Sequence, residues 1–216
     1  MKILKEGFPF IIPSFLAGAA LLIISNVLHL PAAAFIGCLA LGSVLIIFAL
    51  FCMFFFRDPK IAITQGEGII LSPCNGTVME IEEEPSGGEK IIRVFLSIFS
   101  VHLQRSPVSG TVVDVTHKDG KFFAAWNPRA HIENEQNIIT IKADGAGETY
   151  VVRQVAGFLA RRCVSWVKAG DVLKAGDKLG MIKFSSQVDL HLPREAVIGV
   201  KPGDKTRAGI TVMAAK

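Results

Sequence analysis

Two long apolar runs near the start of the chain, residues 8–30 and 32–56, restrict its fold more than anything that follows. Neither run contains an aspartate, glutamate, lysine or arginine. Each is long enough to cross roughly 30 Å of hydrocarbon as a helix. Pro31 separates them, and Asn26 and His29 mark a polar tip between them. Lys2 and Lys5 precede the pair, while Arg57 and Lys60 follow it. The positive-inside rule therefore predicts a helical hairpin with both ends in the cytoplasm. A re-entrant or monotopic hairpin is the alternative, because Pro13 and the polar tip weaken the first helix. The second run exceeds a signal-peptide core, which argues against a cleaved leader. A mean hydropathy of +0.45 agrees with a membrane-embedded part.

Phe54-Phe55-Phe56-Arg57-Asp58-Pro59 closes the anchor. Its aromatics suit the headgroup level, its arginine can snorkel, and its proline stops the helix. From Ile61 onward the chain changes to short β-branched runs punctuated by glycine and proline, which reads as mainly β. Two internal repeats refine this. Ser72-Pro73-Cys74-Asn75-Gly76-Thr77-Val78 recurs as Ser106-Pro107-Val108-Ser109-Gly110-Thr111-Val112. Val167-Lys168-Ala169-Gly170-Asp171 with Ala175-Gly176 recurs as Val200-Lys201-Pro202-Gly203-Asp204 with Ala208-Gly209. Such pairs predict duplicated hairpins wrapped into a compact barrel or sandwich with pseudo-twofold symmetry. The expected organisation is a membrane-anchoring hairpin over residues 1–60 and a β-rich domain over 61–216. Within the latter, residues 91–99 read as a buried strand and 82–89 as a polar hairpin tip. Phe122-Phe123-Ala124-Ala125-Trp126 reads either as core or as a loop at the lipid interface.

A net charge of +4 suits an anionic membrane surface or an anionic substrate, and it is too small to argue for nucleic acid. The four cysteines, at 38, 52, 74 and 163, show no Cys-x-x-Cys spacing. Packed, reduced thiols are expected rather than a zinc site. Lipoyl and biotinyl carrier domains use similar turns, so a membrane-anchored carrier or adaptor is a competing reading. It lacks a lysine in a carrier-type Met-Lys-Met turn.

Chemistry concentrates in Gly180-Met181-Ile182-Lys183-Phe184-Ser185-Ser186-Gln187-Val188-Asp189-Leu190-His191-Leu192-Pro193. Two strand-like runs, 181–184 and 188–192, meet there at a serine pair, which taken alone is a β-turn. The stretch resembles the maturation site of phosphatidylserine decarboxylases of the short, membrane-bound bacterial and archaeal type. The resemblance covers nearly the whole chain. It extends through Ser97-Ile98-Phe99-Ser100-Val101-His102-Leu103-Gln104-Arg105-Ser106-Pro107, Glu133-Asn134-Glu135-Gln136-Asn137 and Val155-Ala156-Gly157-Phe158-Leu159-Ala160-Arg161-Arg162.

In that family a Gly-Ser pair breaks itself and the serine becomes an N-terminal pyruvoyl group. A hydroxyl held in a strained turn attacks the preceding carbonyl, and elimination and hydrolysis leave a ketone. A ketone can condense with an amine and serve as an electron sink. The resemblance thus implies that Ser186 is the precursor of a pyruvoyl cofactor. Cutting between 185 and 186 would yield chains 1–185 and 186–216. It also implies His102 as the base for Ser186 and as a later proton donor. Asn75 stands in a slot that the family fills with aspartate, and Ser185 in its glycine slot. Arg105 and Phe184 are the expected substrate-binding residues, and no metal is implied.

The implied activity is pyruvoyl-dependent decarboxylation of phosphatidylserine, or a related serine phospholipid, to the ethanolamine lipid. Its expected place is the cell membrane, with the catalytic domain on the cytoplasmic side. Expected partners are phosphatidylserine, anionic membrane lipid and the two chains of the cut proenzyme. A homodimer is allowed, and nucleic acid is not expected. Asn75 and Ser185 together motivate the alternative of an unprocessed, catalytically silent relative that binds anionic lipid. Read without the resemblance, His102 is more simply structural and Asn75-Gly76 a favoured hairpin turn. His117 and His131 read as loop residues, and His191 as a strand residue approaching the site.

Overall fold

The computed structural model describes residues 2–83, 88–124, 127, 129–145, 147–158, 162–183 and 186–216. The chain divides into two compact units, Met1–Lys60 and Ile61–Lys216.

In the first unit a short strand, β1 (Lys2–Ile3), precedes helices α1 (Phe8–Val27) and α2 (Ala32–Phe55), and β2 (Arg57–Asp58) follows them. The expected hairpin is present, and α1 runs on through Pro13. The helices approach closely because two glycines face each other. A Cβ built on Gly18 would lie 2.9 Å from the Gly42 carbonyl oxygen, and one on Gly42 3.1 Å from that of Gly18. The larger side chains turn outward, with Leu16, Ile23, Val44 and Ile47 exposed. By length and composition both helices can cross a membrane. At their other end β1 and β2 pair, Lys2 opposite Asp58 and Ile3 opposite Arg57, so the charged flanks share one end of the hairpin. Arg57 lies 3.8 Å from the Phe54 ring centre and donates to the Phe54 carbonyl at 2.7 Å.

The second unit is mainly β, as its turn-punctuated sequence predicts. Its first strands are β3 (Ile69–Leu71), β4 (Gly76–Glu83), β5 (Lys90–Leu96), β6 (Leu103–Arg105) and β7 (Gly110–Lys118). The short helix α3 (Ala130–Glu133) precedes β8 (Gln136–Ala143), β9 (Thr149–Ala156), β10 (Cys163–Ser165) and β11 (Val172–Leu173). β12 (Lys178–Ile182), β13 (Ser186–Leu192), β14 (Val197–Ile198), β15 (Lys205–Thr206) and β16 (Val212–Ala215) complete it. An eight-stranded sheet runs β11-β7-β8-β9-β13-β5-β4-β15, and two three-stranded sheets run β10-β12-β6 and β14-β16-β3.

The duplicated sequence is duplicated structure. Each Gly-Asp turn exchanges the same two backbone bonds with the strand it caps. Val112 N–H donates to Asp171 O and Gly170 N–H to Val112 O; Val78 N–H donates to Asp204 O and Gly203 N–H to Val78 O. In both turns the aspartate accepts a backbone N–H three residues back, from Lys168 and from Lys201, at 2.9 Å. Gly170 and Gly203 adopt φ of 91° and 94°, which explains the glycine before each aspartate. In the next turn of the first copy, Ser109 Oγ accepts the Ala175 N–H at 2.9 Å.

Gly76 and Gly110 open the two equivalent strands where backbones nearly touch. A Cβ would lie 2.3 Å from Phe95 O at Gly76 and 2.2 Å from Lys142 O at Gly110. Gly76→Ala and Gly110→Ala are each expected to destabilise this unit by about 3 kcal/mol. A lowered urea midpoint with unchanged slope would show it, and an unchanged midpoint would mean that the strands part without cost.

β13 lies at the centre of the large sheet and is buried along its whole length. Val188, Leu190 and Leu192 enter the core with Val78, Ile92, Val94, Ile139, Ile141 and Val152. By strand alternation Gln187, Asp189 and His191 occupy the other face. His191 therefore points away from the face that Ser186 shares with Val188, and its Nδ1 meets Glu89 at 2.9 Å. Several local expectations are corrected. The strand predicted over 91–99 ends at Leu96, because Ser100 N–H turns back onto Ser97 O and leaves Phe99 exposed. His117 lies in β7 and His131 in α3, not in loops. The runs flanking the serine pair belong to different sheets and are not joined as a hairpin. Of the predicted polar tip, residues 84–87 lie outside the described residues, as do Ala125 and Trp126 of the aromatic cluster.

Candidate active site

Ser186 is the first residue of β13, paired with Leu96 of β5 on one side and Ala156 of β9 on the other. It is fully buried, and its hydroxyl has no hydrogen-bond partner among the described residues. An orphaned buried hydroxyl is costly, so its presence calls for an explanation outside packing. Phe184 and Ser185, the expected substrate-binding and cleavage-site residues, lie outside the described residues.

β5 ends beside Ser186, the chain turns through residues 97–100, and His102 precedes β6. Its carbonyl accepts the Ile182 N–H at 3.2 Å, at the last residue of β12 before the connection to Ser186. The imidazole is 1% exposed. Its Nδ1 lies 3.0 Å from the Ser100 carbonyl oxygen. A carbonyl only accepts, so this bond requires the proton on Nδ1 and makes Nε2 the basic nitrogen of the neutral ring. The backbone thus sets the tautomer that a general base needs.

Asn75 is half-buried, and its Oδ1 accepts the Ala208 N–H at 3.0 Å, closing the C-terminal loop. Arg105 is 9% exposed, and its Nη1 donates to the Gly176 carbonyl at 2.8 Å. The His102 carbonyl is thus tied to Ile182, four residues before Ser186 in sequence. The structure shows Asn75 and Arg105 through their ties to the two duplicated turns.

A polar chain runs from the exposed His117 into the core, which the sequence does not reveal. His117 Nδ1 meets Asn137 Oδ1 at 2.7 Å, Asn137 Nδ2 donates to Gln154 Oε1 at 3.0 Å, and Gln154 Nε2 to Gln104 Oε1 at 2.8 Å. Gln104 Nε2 then donates to the His102 carbonyl at 2.9 Å. Every amide in the chain donates in the same direction, so the chain ends on the segment that carries the candidate base. Its hydrogen bond with Asn137, despite some burial, holds the His117 proton above the ordinary histidine range. Asn134 adds a second brace, donating Nδ2 to Phe123 O at 2.9 Å and to the carbonyl of Ala156, the β9 partner of Ser186, at 2.7 Å. The available signal is Gln154 in the β-rich run Val151-Val152-Arg153-Gln154-Val155, at the same alternation as the core residue Val152. Burial pushes the thiols of Cys74 and Cys163 up, which makes neither a nucleophile.

Comparison with known proteins finds one family. The sequence profile of the phosphatidylserine decarboxylase family matches residues 48–214. A phosphatidylserine decarboxylase proenzyme of Symbiobacterium thermophilum is 40% identical over 218 residues, covering 98% of this chain and 94% of that protein. The proenzyme of Citrifermentans bemidjiense is 38% identical, over 96% of this chain and 94% of its own length. That of Solidesulfovibrio magneticus is 42% identical over 82% and 84%.

Proposed function

The chain belongs to the phosphatidylserine decarboxylase family, and from that membership we propose that it decarboxylates phosphatidylserine to phosphatidylethanolamine with a pyruvoyl group made from its own Ser186. No finding favours the lipoyl-type carrier or the silent relative. The observation that carries the site assignment is the buried Ser186 hydroxyl, without a partner among the described residues, at the start of a central strand. Ser186 also fits the group, because a ketone at its Cα keeps the strand in place and removes the orphaned hydroxyl.

In this reading Ser186 Oγ attacks the carbonyl carbon of residue 185 while His102 Nε2 takes the hydroxyl proton. The ester bond forms as the amide breaks, and the freed nitrogen of residue 186 is protonated. Elimination across Cα and Cβ of residue 186 releases chain 1–185 as a carboxylate. Water then replaces the nitrogen, which leaves as ammonia, and the new end of chain 186–216 is a ketone. The pyruvoyl group supplies condensation with the substrate amine and a sink for the electron pair freed with carbon dioxide. His102 is proposed to return a proton to the substrate carbon. Arg105, its guanidinium oriented by the Gly176 carbonyl, is proposed to meet the substrate's carboxylate or phosphate. Phe184, next to the scissile pair in sequence, is proposed to contact the substrate as well. The basic flanks Lys2, Lys5, Arg57 and Lys60 favour a cytoplasmic position for residues 61–216 and attract anionic lipid.

The test is a mass spectrum of the purified protein with an assay of carbon dioxide release from phosphatidylserine vesicles. A 186–216 chain of pyruvoyl mass and carbon dioxide release are expected. An intact chain with no release would overturn the proposal.

The two departures from the family pattern set the expected rate. Because the Ser100 carbonyl already supplies the tautomer, an aspartate at 75 would add only its charge. Asn75→Asp is expected to speed cutting by about tenfold to a hundredfold. That is a fraction of the roughly ten-thousandfold lost when a serine-protease triad exchanges its aspartate for asparagine. Ser185→Gly relieves at most about 1 kcal/mol of turn strain and should gain less. The measurement is a time course of the small chain's appearance. Full restoration by Ser185→Gly, with no effect of Asn75→Asp, would remove Asn75 from the triad slot.

A further inference from the structure

On the face of β13 turned away from the core, one carboxylate is set between two guanidinium groups. The register places Asp189 directly opposite Arg93 of β5 and directly opposite Arg153 of β9. Asp189 is wholly buried; its Oδ1 accepts from Gln187 Nε2 at 2.6 Å, and its Oδ2 lies 4.0 Å from Arg153 Nη1. Arg93 is in turn forked onto Glu80 and Glu82 of β4. Asp189 Oδ2 and the Nε atoms of both arginines have no hydrogen-bond partner among the described residues. Burial pushes the Asp189 carboxyl up, although Gln187, Arg153 and Arg93 pull it down. Such a charge is a cost to the fold rather than a source of strength, and the best-attested use of a costly buried charge is to specify register.

What makes register matter here is where the chain would be cut. Asp189 lies in residues 186–216, whereas Arg93 and Arg153 lie in residues 1–185. The hydrogen bond between His191 Nδ1 and Glu89 crosses the same division. Before cutting, the covalent link from β12 limits how far β13 can slide. After cutting, its first residue is a free end. A slip by two residues would keep every side chain on its own face, so the apolar core resists it weakly. That slip would move Asp189 opposite Ile91 or Phe95 on one side and Val151 or Val155 on the other. The buried carboxylate would then face apolar neighbours, and Arg93 and Arg153 would exchange it for Gln187 or His191. Among the described residues, the other links between two side chains across the division, Lys205 with Thr77 and Lys216 with Glu148, are more exposed and lie outside β13.

We propose that Asp189, held between Arg93 and Arg153, is a positioning residue that pins the register of the small chain once the cut has freed it, keeping residue 186 in line with His102. This rests on the cleavage reading above. The test compares Asp189→Asn in cut and uncut protein, using the full chain in both. The cut form is made by a site-specific protease sequence in place of residues 184–185, opened after folding; the uncut form is the Ser186→Ala chain. A break introduced this way does not depend on self-cleavage, so absence of self-cleavage would overturn the maturation reading and leave this test standing. The readout is hydrogen exchange of the amides of residues 187–192. Asp189→Asn is expected to speed exchange at least tenfold in the cut protein and less than twofold in the uncut chain. A merely structural role would move both forms equally, and that result, or no change in either, overturns the proposal. Should Asp189→Asn not fold, Arg153→Gln, which alters the more exposed partner, is read against the same two outcomes.

Discussion

His102→Ala is expected to leave the chain whole, slowing the cut between Ser185 and Ser186 by about a hundredfold to ten-thousandfold. The loss follows from what the ring alone supplies. A serine hydroxyl is a poor nucleophile until a base removes its proton. The His102 ring is buried, and its Nδ1 is committed to the Ser100 carbonyl, so Nε2 is the nitrogen able to accept that proton. The same substitution should spare the fold. The His102 carbonyl receives Ile182 N–H and Gln104 Nε2, which alanine keeps, while the ring's bond to the Ser100 carbonyl is lost. The measurements are the time course of the small chain and a melting profile of the same preparation. Normal cutting would take His102 out of the maturation role, and loss of folding would make it a structural histidine.

A chain beginning at Ile61 is expected to fold and yet leave lipid vesicles, its bound fraction falling from nearly all to under about a tenth. Its own core holds the second unit together, since the hydrophobic cluster from Ile70 to Ala214 draws on no residue before 61. The first unit carries the outward-facing Leu16, Ile23, Val44 and Ile47 on two helices of membrane-spanning length. Peripheral attachment by a few basic and aromatic side chains is reversible, whereas inserted helices are effectively permanent. Flotation of the truncated and full chains with anionic vesicles decides it. Full partitioning of the truncated chain would mean that the hairpin is not the main anchor.

The hairpin was legible because hydropathy is a local property, and its ends show as charges in the sequence. The Gly-Asp turns were legible because a left-handed glycine followed by a turn-closing aspartate leaves a local mark, and the mark occurs three times, at 170–171, 176–177 and 203–204. Pairing between distant strands leaves no such mark. Residues 181–184 and 188–192 look like the arms of one hairpin, yet their partners, β6 and β10 for one and β5 and β9 for the other, come from elsewhere in the chain. The role of Asp189 was hidden for the same reason, since it depends on two arginines that only the register brings opposite. Gln154 and Asn137 were passed over because a polar residue on a strand is ordinarily assigned to solvent. The bond between Asn75 and Ala208, far apart in sequence, could not be read from an Asn-Gly pair.

Asn75 has a counterpart in its own molecule. In one copy of the repeat an asparagine oxygen holds the N–H of Ala208, and in the other a serine oxygen holds that of Ala175. The two alanines precede glycines that both take positive φ. Position 109 shows what this turn asks of position 75: a short side chain with an oxygen in that place. Aspartate, asparagine or serine could each meet that demand, so the architecture by itself leaves the residue at 75 open to exchange.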